Sequence, residues 1–121
     1  MKIINNLIQK HQLLYVIFAK EDGTILDSFG NKSALKYMGV MEEYFGNEKR
    51  IISTGKFLQG KQLPQIVNQA EQCCLLTLLD NLILLGIFFI DDSHVLERKK
   101  RLKAIHDDIL KLEPFTSDSK E

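Results

Sequence analysis

Hydrophobic positions along the chain fall into blocks whose period changes abruptly, and each change marks a predicted element. Ile3, Ile4, Leu7, Ile8 and His11 recur at the i, i+3, i+4 spacing of one helix face. Leu13 to Ala19 (LLYVIFA) is a continuous apolar run rich in strand-forming residues. Glu21-Asp22-Gly23 follows, and then the alternating segment TILDSF. Asp-Gly between two such runs predicts a hairpin, because both residues tolerate the positive φ of a tight turn. Asn31 or Ser33 is placed to cap a second helix reaching Phe45, with Leu35, Met38 and Phe45 on one face. Gly39 inside it costs about 1 kcal/mol relative to alanine and so marks a close packing contact. Gly46-Asn47 ends that helix.

The longest apolar stretch is Cys73 to Ile90, CCLLTLLDNLILLGIFFI. Its eighteen residues reach the lower limit for a membrane span, but Asp80 would lie near the bilayer centre at a cost of about 3 kcal/mol. No aromatic belt or basic flank marks either end. Two strands, Cys73 to Leu79 and Leu82 to Ile90, joined by an Asp80-Asn81 turn, fit better. Adjacent strand residues face opposite ways, so Cys73 and Cys74 belong to different faces and cannot share a metal. They read as small core residues, and His11, His94 and His106 are too scattered for a zinc pattern.

Between these blocks the pattern is ambiguous. Arg50 to Thr54 (RIIST) reads as a short strand or a ragged helix end. Within Lys61 to Gln72, Leu63, Ile66, Val67 and Ala70 fit a helix, whereas Gln65 to Gln69 fits a polar edge strand beside Pro64. The strand is the preferred reading. The last element is a helix capped by Asp92 or Ser93, with Val95, Leu102, Ile105, Ile109 and Leu112 on one face. Pro114 stops it, so residues 1–113 form one domain and 114–121 a disordered tail.

Strands apolar on both faces must be covered on both sides, which places LLYVIFA and LILLGIFFI together at the centre of the sheet. TILDSF pairs with the first and CCLLTLL with the second through their turns. The fold class is α+β: an antiparallel sheet of about five strands, in the order 2-1-5-4-3, between helices.

Composition narrows the class. The chain has 121 residues, 45% hydrophobic and 26% charged, as expected of one globular domain. Sixteen basic residues balance sixteen acidic ones, so no net field favours nucleic acid. MKIINNLIQKHQ is too interrupted for a signal peptide, which with the two cysteines predicts a cytoplasmic protein with reduced thiols.

This order of elements resembles the roadblock/dynein light chain domain, a member of the profilin-like and longin-like group. INNLIQKHQ, the hairpin LLYVIFAKEDGTILDSF, SALKYMGVMEEYF, the run to FFIDD and the helix from Ser93 carry the resemblance, over roughly residues 2 to 112. The segment Glu48 to Gln72 departs from it, being longer and richer in glutamine. The resemblance implies a homodimer, or a pairing with a related subunit, through the second helix and third strand. It further implies a scaffold or regulator of a small Ras-like GTPase, or a light chain on a motor complex.

No GxSxG, HExxH, P-loop or GxGxxG motif occurs, and no cofactor is expected. The pairs Glu42-Glu43, Asp91-Asp92 and Asp107-Asp108 read as solvated surface. The expected function is therefore a non-enzymatic interaction module, the alternative being a PAS- or GAF-like small-molecule sensor. Tyr37, Met41 and Tyr44 form a second stripe on helix two and, with Ile66 and Val67, are the candidate dimer interface. ERKKRLK, Glu97 to Lys103, carries five basic residues in seven. Arg98, Lys99, Lys100, Arg101 and Lys103 are thus either a solvated helix face or a patch for an acidic partner.

Overall fold

The computed structural model describes residues 2–61, 63–79 and 82–111. The elements run α1 (Lys2–His11), β1 (Leu13–Lys20), β2 (Ile25–Gly30), a 3-10 turn (Lys32–Ala34), α2 (Gly39–Phe45), α3 (Glu48–Leu58), β3 (Gln65–Gln69), β4 (Gln72–Leu78), β5 (Ile83–Ile90) and α4 (Val95–Leu110). The five strands form one sheet in the order β2-β1-β5-β4-β3, with every neighbouring pair antiparallel. This is the order expected from the apolar runs, and Gln65–Gln69 is indeed the outer strand.

The two central strands separate two cores. Val16, Phe18, Ile87 and Phe89 pack with Ile4, Leu7, Ile105 and Ile109 of α1 and α4. The alternate residues Tyr15, Ile17, Leu84 and Phe88 pack with Met41, Phe45, Ile51 and Leu58 of α2 and α3. Period-two alternation puts Cys73 in the first core and Cys74 in the second. Burial pushes both thiols up and keeps them in the unreactive neutral form.

Three boundaries differ from the sequence reading. Asn31 caps the 3-10 turn, its side chain accepting from Ser33 N at 3.1 Å, and the second helix starts only at Gly39. The intervening amides are held by glutamine side chains, described below, so the helix cannot extend back. Gly46-Asn47 is a joint between two helices rather than an exit into a strand. Asn47 has an extended backbone, and its side chain accepts from Arg50 N at 2.9 Å, which starts α3 over the whole RIIST segment. Replacing Asn47 with alanine should therefore cost about 1 kcal/mol in urea denaturation, and Asn47→Asp should retain most of it. Finally, α4 starts after His94, which makes no side-chain cap, and Asp91 rather than Asp92 or Ser93 organises the preceding turn.

The Asp80-Asn81 turn, Leu112, Pro114 and the tail 114–121 lie outside the described residues. The hairpin is closed on the described side by Leu79 N donating to Ile83 O at 2.9 Å. No helix among the described residues is long and apolar enough to cross a membrane.

Candidate interaction surface

At one end of the sheet, the short β3–β4 turn binds the chain leading into α2. Gln72, buried, accepts from Lys36 N at 2.8 Å and Tyr37 N at 3.2 Å through Oε1, and donates to Tyr37 O through Nε2 at 2.7 Å. The neighbouring Gln69 accepts from Val40 N at 3.2 Å, satisfying a free amide in the first turn of α2. Glu71 accepts from the Tyr37 hydroxyl at 3.2 Å and from Lys36 Nζ at 3.2 Å. A backbone hydrogen bond and then Lys36 hold the Glu71 carboxyl below its ordinary value. Gly39 is required by this clamp, because a Cβ there would lie 2.7 Å from Gln69 Nε2. The glutamine-rich segment thus fixes α2 against β3.

The five candidate interface residues do not form one patch. Met41 is only 4% exposed and belongs to the core beneath α2, so its side chain is not at the surface. Tyr44 is half-buried against that core, and burial pushes its hydroxyl pKa up. Tyr37 is half-buried, with Lys36 Nζ 5.5 Å from its ring centroid. Val67 packs towards α2, whereas Ile66, one residue away, faces the α4 side.

Among solved structures the chain is similar to Myxococcus xanthus MglB, at 14% identity over 96% of this chain and 94% of that one, with a TM-score of 0.61. The gliding protein MglB from Thermus thermophilus gives 10% identity, 92% and 85% coverage and a TM-score of 0.58. A Roadblock/LC7 domain from Streptomyces avermitilis gives 11% identity, 95% of each chain and 0.55. The fold is roadblock-like. At these identities the likeness is one of fold. No family model and no curated protein matches the sequence.

In this roadblock-like domain the basic stretch of α4 divides by role. Arg98 and Arg101 turn inward to Asp91, at 3.6 Å and 3.2 Å. Arg101 also donates to Ile90 O at 2.6 Å and to His11 O at 2.8 Å, tying α4 to β5 and to the end of α1. The expectation that Asp91 and Asp108 are solvated is corrected by the same geometry. Asp91 is buried, and Asp108 bonds Lys10 at 2.8 Å and His11 at 2.7 Å, which hold its carboxyl well below the usual range. Lys99, Lys100 and Lys103 remain exposed. The signal for this division lay in the spacing: Arg98 and Arg101 are i, i+3 on the face that meets the strand end.

Proposed function

We propose that the chain is a non-enzymatic, self-associating interaction module, acting in the cytoplasm as a scaffold or regulator of a small Ras-like GTPase or as a light chain on a motor complex. The observation that carries this reading is the outer edge of β3. QIVNQ has no charged residue, and among the described residues no strand pairs with its outer side. Sheet edges that stay single are usually blunted by charge, proline or a bulge, so a bare edge favours pairing with another chain. Two copies joined antiparallel at this edge would continue one sheet, with the clamped α2 helices alongside and Tyr37, Tyr44, Ile66 and Val67 near the junction. A pairing with a related subunit uses the same edge. One MglB structure is described as having a tetrameric arrangement, which supports the fold's capacity to assemble.

Light scattering across a concentration series tests the reading. The expected mass is twice 13.9 kDa, and Asn68→Lys, which puts a charge on an exposed edge position, should weaken association by about tenfold or more. A wild-type monomer at high concentration, or an unaltered mass for Asn68→Lys, overturns it.

A further inference from the structure

We propose that the groove between α4 and β3 takes an acidic amphipathic helix of a partner protein. α1 and α4 lie side by side on one sheet face, clasped by His11–Asp108 and by Arg101 on His11 O. The β3 end of that face is left open. There a groove of about 250 Å³ runs beside α4, with Ile66 and Leu75 as its floor and Leu63 and Pro64 at its end. Leu102, Lys103 and His106 form its wall.

The groove is apolar and unfilled where a core would be dry. Leu63 is 74% exposed, Ile66 38% and Leu110 52%. Val95, Leu102, His106 and Leu110 are spaced by seven, four and four, so they form one stripe along the side of α4 away from α1. A helix laid beside α4, at the usual 8–10 Å between packed axes, would bury that stripe and complete the layer.

Charge selects the occupant. No acidic side chain lines the groove. Lys103 stands on its wall, and Lys99 lies one turn earlier on the same side of α4. Lys103 bonds Asp107 at 2.9 Å, but both side chains are exposed, and such i, i+4 pairs exchange partners at little cost. Glutamates flanking an apolar stripe on the incoming helix would meet Lys99 and Lys103. This rests on the reading of the chain as an interaction module, though not on its self-association.

The test uses two synthetic peptides of about four helical turns with the same leucine stripe, one filled with glutamate and the other with lysine. Titrated into the isotope-labelled full chain, the acidic peptide should shift amide signals of residues 63–66 and 99–110 and bind at least about tenfold tighter than the basic one. The double variant Lys99→Glu/Lys103→Glu should reverse that order. No binding, equal affinity for both peptides, or shifts elsewhere overturns the proposal. Sedimentation with phosphatidylserine vesicles that the double variant abolishes would assign this face to a lipid surface, and likewise overturns it. Light scattering on the same samples separates the two readings. A monomer that still binds the acidic peptide defeats only self-association, and a dimer that does not bind it defeats only the groove.

Discussion

Asp91→Ala should lower the unfolding free energy by about 3 kcal/mol, because it removes the one carboxylate facing two inward-turned guanidinium groups. The Asp91 side chain is 3% exposed, with Arg101 at 3.2 Å and Arg98 at 3.6 Å. It also accepts from Ser93 N at 2.8 Å, which shapes the turn into α4. Burial alone would push this carboxyl up. The Ser93 bonds and then Arg101 overcome it, and the net position is below the ordinary 3.8. A depressed folded-state pKa contributes stability that is present above the unfolded value and is lost as pH falls through the folded one. Urea denaturation should therefore show a wide gap between wild type and Asp91→Asn at pH 7 that narrows below about pH 4. A gap that persists unchanged in acid would mean that Asp91 acts through shape rather than charge.

The second large effect is expected at Gly86, in the middle of β5. A Cβ there would lie 2.6 Å from Phe45 Cε2, 2.8 Å from Phe45 Cζ and 3.1 Å from Ile17 Cγ2. The strand cannot move aside, since Gly86 is paired with Ile17 on one side and Leu76 on the other. Phe45 is itself fully packed between α2 and the sheet. Gly86→Ala should cost about 2–3 kcal/mol through overpacking, or displace α2 from the sheet. Phe45→Leu should be less harmful in the Gly86→Ala background than alone, with a coupling of about 1 kcal/mol or more. Additive losses would show that the methyl is accommodated by some other neighbour.

The sheet was legible in the sequence because its strands carry their own patterns. β1 and β5 are apolar on both faces, and the Asp22-Gly23 turn announces its hairpin, with Thr24 N on Asp22 Oδ1 at 3.0 Å. α3 was not legible for a physical reason. Its inward stripe is Ile51, Thr54, Gly55 and Leu58, a correct i, i+3, i+4, i+7 series in which two members are too small or polar to register as apolar. Gly55 sits close to Leu84, where its ideal Cβ would be 3.6 Å from a methyl, and Thr54 satisfies its hydroxyl on Tyr44 O at 2.8 Å. The misplacement of Met41 follows from the same region. Starting the helix near Asn31 gives the wrong set of partners, whereas a start at Gly39 leaves Met41 and Phe45 one turn apart on the core side. What set that start was three side chains from a distant turn, Gln69, Glu71 and Gln72, and no local pattern announces such contacts.

The two rims of the sheet are chemically unlike, and this bears on whether contacts between copies can propagate. β2 exposes Ile25 and Leu26 but carries Asp27, and its pairing with β1 is interrupted between Phe18 and Ala19. β3 carries no charge at all. A head-to-tail contact, β2 of one copy on β3 of the next, would remove the Asp27 carboxylate from water opposite neutral glutamines and asparagine. Open-ended stacking of strands into a fibre needs that unlike contact at every step, whereas a two-fold contact between like rims closes after a single one. One aspartate on the far strand therefore acts as a brake on polymer growth.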